Sequence, residues 1–224
     1  MKPYFIRVSE QSPTMFWINN PTRRQADLAL EHGALGCTNN PSYTQKMIDH
    51  PEEGSYAQAI LDETLREIAD DRYAAVVFQA KMVKPIAKKF MPLYERSGGE
   101  HGYVSIQGDP IDEETDVIIK EALESRKIAP NICCKIPVID TGIQAMEELV
   151  LHETPLNATE VFGVSQMISI CKAYEKASKK SGKTPKFYVS HITGIYDDYF
   201  NNYIKENDIQ ISPDVLHQAG LAVS

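Results

Sequence analysis

The sequence predicts an α/β protein of the TIM-type (β/α)-barrel class, and three observations carry that expectation. Short apolar or β-branched runs alternate with longer stretches of helical periodicity along most of the chain. The strand-like runs finish in, or lead into, polar residues, as expected where a parallel barrel gathers its chemistry at the carboxyl ends of its strands. A lysine, Lys135, stands in the middle of an otherwise apolar strand.

Strands are expected over residues 15–19, 34–38, 103–107, 132–138, 157–162 and 186–192. The first helix, 22–32, opens after Pro21 and closes at Gly33. The next, 56–70, places Ile60, Leu61, Thr64, Leu65 and Ile68 on one stripe, and another follows from 72 to 96, bent or broken near Pro85 and Pro92. Helix 113–125 turns Val117, Ile118, Ala122 and Leu123 inward, and helices 141–151, 164–179 and 197–206 complete the alternation. The Lys-rich stretch 176–183 reads as a solvated helix end and turn. Ser212 and Pro213 read as the N-cap and first turn of a last helix.

Six strands are expected here, whereas a closed barrel of eight requires about two more βα units. The C-terminal part of a barrel is therefore missing from this reading. Three arrangements meet it: a fragment, a wall supplied from elsewhere, or an open sheet. No linker or low-complexity stretch divides the chain, so residues 1–224 read as one domain.

The chain has 224 residues, 42% hydrophobic and 24% charged, enough for one globular core. A formal charge of −8 argues against nucleic acid or an anionic membrane as partner, because both require a basic surface. A local basic pocket for one small anion is compatible with it. The N-terminal segment lacks a signal-peptide pattern and no apolar run approaches about 18 residues, so a cytoplasmic protein is expected. Cys37, Cys133, Cys134 and Cys171 include no C-x-x-C pair, and adjacent strand cysteines point to opposite faces. They read as reduced core residues, with no metal and no cofactor expected.

In the strand around Lys135, alternation puts Ile132, Cys134 and Ile136 on one face and Cys133, Lys135 and Pro137 on the other. In a barrel the first face meets helices and the second the interior. Low dielectric there disfavours an ammonium, and a neutral amine attacks a ketone to form an imine that draws electrons from an adjacent carbon–carbon bond. The alternative is a buried lysine paired with a carboxylate, or one reaching out at the strand end. The polar residues near the other strand ends are Asn19, Thr38 and Asn40, then Gln107 with Asp109 beyond it, Asn157 and Thr159, and Ser190 with His191. Singly these are ordinary turn residues, and Asp109 before Pro110 reads as one.

Together these motifs resemble the transaldolase and fructose-6-phosphate aldolase family. Cys133-Cys-Lys-Ile-Pro137, followed by Thr141-Gly-Ile-Gln-Ala-Met146, resembles its Schiff-base strand. Gly36-Cys-Thr-Asn-Asn-Pro-Ser42 resembles its G-x-T-T-N-P-S signature, and Asn157-Ala-Thr159-Glu-Val-Phe162 with Ser165-Gln166 its N-x-T-x-x-F segment. Val189-Ser190 through Asp198 is similar to its sixth-strand stretch. The matches keep the family's order and cover residues 15–198. The resemblance implies that Lys135 forms the imine and that Thr159 holds a proton-relaying water. It implies that Asn40 and Asn157 bind substrate hydroxyls, with Thr38 beside them, and that Ser190 meets a distal anionic group. The implied ligand is a small sugar or sugar phosphate in carbohydrate metabolism, the pentose phosphate pathway included, and a homo-oligomer is expected.

Three departures from the family pattern stand out. Asn19 occupies the first-strand position of an acid–base aspartate, and an amide does not exchange a proton near neutral pH. Gln107 stands where transaldolases carry glutamate and the shorter aldolases glutamine, which tilts the expectation toward aldolase. Ile195 replaces a phosphate-binding arginine, with His191 offered as a partial substitute. The expected activity is cleavage or transfer of a three-carbon ketone unit through a Lys135 imine. The alternatives are a non-catalytic sugar-binding homologue and a Schiff-base lyase for a non-phosphorylated substrate.

Overall fold

A computed structural model describes residues 2–223. The chain divides into two compact units, Met1–Lys135 and Ile136–Ser224, with the boundary inside a strand.

The first unit opens with α1 (Tyr4–Gln11), β1 (Phe16–Asn19), α2 (Arg23–Glu31) and β2 (Ala34–Thr38). Three helices follow, α3 (Tyr43–Ile48), α4 (Gly54–Glu67) and α5 (Asp71–Arg96), then β3 (Tyr103–Gln107), α6 (Thr115–Arg126) and β4 (Ile132–Pro137). The strands pair in parallel and in chain order, β1 with β2, β2 with β3 and β3 with β4. Such pairing needs a crossover between neighbours, and the helices supply it.

Helix α1 was not legible from its sequence pattern. It follows Pro3 without a capping side chain and is anchored by Phe5, whose ring stacks on Phe16 at 4.1 Å. Helix α2 begins as expected, at a reciprocal capping box. The Thr22 hydroxyl accepts the Gln25 amide at 3.0 Å, and the Gln25 side chain accepts the Thr22 amide at 2.9 Å. It stops at Gly33, whose φ of 99° a side chain would oppose. Helix α5 runs through Pro85 and Pro92 as one helix, so of the expected bend or break there is no break. Burial of Met82, Val83, Ile86, Ala87 and Phe90 holds both flanks of Pro85 on the core, which compensates the lost hydrogen bonds. On α4, Leu65 is exposed rather than part of the inward stripe, which Ala57 and Thr64 anchor instead.

All of β4 is buried. Its faces divide as alternation requires: the Cys134 thiol reaches the Ala122 carbonyl of α6 at 3.3 Å, while Lys135 points to the opposite side.

The second unit holds the end of β4, then α7 (Asp140–Leu151), β5 (Leu156–Val161), α8 (Val164–Ser181), β6 (Phe187–His191), α9 (Gly194–Glu206) and α10 (Pro213–Val223). The Val138 amide donates to the Thr159 carbonyl at 2.9 Å, and β5 pairs in parallel with β6. The pairing slips between Ala158 and Val161, where Glu160 adopts a φ of 62°. Helix α8 ends at left-handed Gly182, and Lys176 and Lys179 there form exposed pairs with Glu147 and Glu175, as a solvated helix end requires. Ser212 caps α10 by accepting the Val215 amide at 3.3 Å. Cys171 is exposed, which corrects the expectation of four core cysteines; it lies on the solvent side of α8.

Among the described residues each of six strands is followed by a helix, and the pairs β1–β2, β2–β3, β3–β4 and β5–β6 are parallel, the α/β class of the TIM-type barrel. No helix among them is long and apolar enough to cross a membrane.

Candidate active site

The expected residues fall into two clusters, one in each unit. In the first, parallel register sets Gln107 beside Lys135 across β3 and β4, and Asn19 beside Thr38 across β1 and β2. Lys135 is 7% exposed, and its Nζ donates to Asn40 Oδ1. The Asn40 amide group in turn donates to Asn19 Oδ1 at 3.3 Å, and the Thr38 hydroxyl donates to the same oxygen at 2.8 Å. Lys135, Asn40, Asn19 and Thr38 thus form one hydrogen-bonded chain directed at the Asn19 carbonyl.

The loop after β2 fixes Asn40. Its amide donates to Asn20 Oδ1 at 2.9 Å, and its carbonyl accepts Gln79 Nε2 from α5 at 3.3 Å. Asn20 itself takes a φ of 47°, which asparagine tolerates better than most residues, and its carbonyl accepts Lys46 Nζ at 2.9 Å. The residue whose side chain receives the lysine is therefore held from the turn after β1 and from α5. Within the chain from Lys135 to Thr38 the lysine is the titratable member, and every other group is an amide or a hydroxyl.

In the second cluster, Asn157 and Thr159 are buried two residues apart on β5 and so share a face. The Ser190 hydroxyl of β6 donates to Asn157 Oδ1 at 3.1 Å. Gln166 braces the turn after β5, donating to the carbonyls of Val138 and Glu160, both at 3.2 Å, and accepting the Phe162 amide at 2.9 Å. A ring nitrogen of half-buried His191 lies 3.4 Å from the Phe162 carbonyl, which also accepts the Tyr196 hydroxyl at 2.5 Å. Ile195 is 47% exposed in the first turn of α9.

Asp109 is a turn residue, as its sequence context suggested: its carboxylate accepts the Ile111 amide at 2.8 Å. It also pairs with Arg72 at 2.6 Å, a contact 37 residues apart that no spacing rule reveals. Burial opposes its ionisation, but the Ile111 amide and the Arg72 guanidinium outweigh it and hold its carboxyl below the usual range. Such a group is a poor proton donor. Burial raises the thiols instead, Cys134 to about 12 and Cys37 and Cys133 likewise upward, so these three are inert toward nucleophilic chemistry.

The class that fold and site define is a β/α-barrel protein with a strand lysine at its candidate site. Residues 16–220 match the family model for transaldolase/fructose-6-phosphate aldolase, and the chain belongs to that family. Among curated relatives it is 29% identical over 208 residues to a transaldolase of Mycobacterium ulcerans, covering 84% of this chain and 52% of that protein. It is 27% identical over 177 residues to transaldolase 1 of Streptomyces avermitilis, covering 75% and 46%. It is 31% identical over 175 residues to a transaldolase of Thiobacillus denitrificans, covering 73% and 47%. The chain thus spans about half the length of the curated relatives it matches.

Proposed function

We propose that the chain is a transaldolase-like aldolase that cleaves or transfers a three-carbon ketone unit of a sugar or sugar phosphate through an imine at Lys135. The observation that carries the reading is the lysine itself: a nearly buried amine on a fully buried strand, meeting the carbonyl of a braced amide, Asn40.

The Lys135 amine adds to the ketone, and the carbinolamine loses water to give the iminium. Removal of the proton from the β-hydroxyl breaks the adjacent carbon–carbon bond, releases an aldehyde and leaves its electron pair in an enamine. Protonation at carbon and hydrolysis free the ketone, or the enamine attacks a second aldehyde instead. In this reading a water held by Thr159 relays protons, Asn40, Asn157 and Thr38 meet substrate hydroxyls, Gln107 polarises the reacting carbonyl, and Ser190 meets the far end. The same reading takes residues 1–224 as one domain that associates with its own copies in the cytoplasm.

Asn19 favours a second reading, a sugar-binding homologue without turnover, because no amide accepts the β-hydroxyl proton. Aldehyde release from fructose and from fructose 6-phosphate separates the two. The aldolase reading expects release by the native chain and none by Lys135→Ala. Release that survives the substitution contradicts it, and sugar binding without release supports the second.

A further inference from the structure

Asn20 stands where β1 gives way to the turn before α2, and the proposed chemistry assigns it no role. In a parallel pair, a strand residue whose amide donates to one carbonyl of the neighbouring strand also accepts, through its own carbonyl, the amide two residues further on. Asn20 begins that pattern, its amide donating to the Thr38 carbonyl at 2.8 Å. The second bond is made differently. The Asn40 amide donates to the side-chain Oδ1 of Asn20 at 2.9 Å, while the Asn20 carbonyl accepts Lys46 Nζ of α3 at 2.9 Å. The backbone turns left-handed here, with a φ of 47°, and the side-chain oxygen stands in for the diverted carbonyl.

Asn20 thus spans residues 38 and 40, and both belong to the hydrogen-bonded chain that includes Lys135. Asn39 between them is held from the other side, its amide donating to the Ser105 carbonyl of β3 at 3.0 Å. Asn40 therefore presents Oδ1 to Lys135 from a backbone fixed on both flanks. Asn20 is 8% exposed, so water is a poor replacement for its oxygen. An Asn40 amide left without that acceptor has to move to find another. A shift of about 1 Å in a group that orients a nucleophile costs up to about 100-fold in rate.

The residue type meets two demands at once. Asparagine enters the left-handed region more readily than most residues and carries an acceptor. Glycine meets the first demand alone, and aspartate meets both.

We infer that Asn20 is a positioning residue for Lys135: its side-chain oxygen sets Asn40 against the amine, and its loss slows imine formation. The inference rests on the imine reading above.

The test compares the rate of borohydride labelling with dihydroxyacetone, read by intact mass, in the native chain, Asn20→Gly, Asn20→Asp, Asn40→Ala and the double variant Asn20→Gly/Asn40→Ala, each shown to be folded by circular dichroism. At saturating ketone, Asn20→Gly is expected to label about tenfold more slowly than the native chain, and Asn20→Asp within about twofold of it. The double variant should be no slower than Asn40→Ala alone, because Asn20 acts through Asn40. If the glycine variant does not fold, Asn20→Ser, whose acceptor has a shorter reach, carries the same comparison. A native rate without the Asn20 side chain, an equal loss in Asn20→Asp, or losses that multiply in the double variant overturn the inference. Nitrogen-15 NMR of the ketone-free chains separates this outcome from the fate of the imine. Faster exchange of the Asn40 backbone amide and a shifted Asn40 side-chain signal in Asn20→Gly, both restored in Asn20→Asp, uphold the positioning even where the native chain gains no adduct, a result that refutes the imine. Unchanged Asn40 signals refute the positioning.

Discussion

Strands β4 and β6 belong to similar βα units, yet every residue of β4 is buried and every residue of β6 is half-buried. The enclosed strand carries the lysine, and its amine is met by an amide that two neighbouring elements hold in place. The open strand carries Ser190, joined to Asn157 by one hydrogen bond, and is followed by exposed Ile195 where the family pattern has arginine. Chemistry that needs a desolvated amine is concentrated in the first region. Recognition of a distal anion, which needs a fixed cation, is thin in the second. On the imine reading, the first region suits a carbonyl carbon and the second offers little to a phosphate.

The largest expected effect breaks the first side of the contrast. Lys135→Ala removes the nucleophile, and aldehyde release should fall by about 10³-fold or more in a steady-state assay with the fold retained by circular dichroism. Asn19→Asp sharpens it. A carboxylate still accepts the Thr38 hydroxyl and the Asn40 amide, so the hydrogen-bonded chain persists while a proton acceptor is added. Cleavage should rise by about 100-fold in kcat, measured against the native chain, and an unchanged or lower kcat counts against a missing base.

How much of this was legible in the sequence follows the range of the forces involved. Strands β2 and β3 match their expected bounds because short apolar or β-branched runs with polar ends are local signals. Lys135 was visible for the same reason, a charge interrupting an apolar run. Helices α1 and α3 were not, since neither has a side-chain cap and α3 has six residues. The hydrogen bond from Lys135 to Asn40 spans 95 residues, so the motif suggested both residues but not that one carries the other. Arg72 gave no local signal at all, and its partners come from a turn after β3.

Two smaller effects probe the rest. Ile195→Arg adds a cation at an exposed position, where the fold should tolerate it. It should lower KM for fructose 6-phosphate by about tenfold and leave KM for fructose unchanged, which would bring β6 toward phosphate recognition. A fall for both sugars points to a conformational effect instead. The smallest change concerns Glu121, whose pKa burial raises, with Asp109 and Asp112 adding to the rise while the Asp109 amide and Arg72 oppose it. A carboxyl with a raised folded pKa stabilises the fold below its unfolded value and loses that contribution as pH climbs through the folded one. Glu121→Gln carries no charge and retains an acceptor for the Asp109 amide. It should therefore gain stability relative to the native chain at about pH 7.5, by less than about 1 kcal/mol, and converge with it below about pH 4 in thermal melts.

The most direct test of the central claim is the mass of the chain after borohydride treatment with dihydroxyacetone, followed by peptide mapping. The account predicts one reduced adduct, located on Lys135 and absent from Lys135→Ala. A folded chain that gains no adduct, or gains it on another lysine, contradicts it.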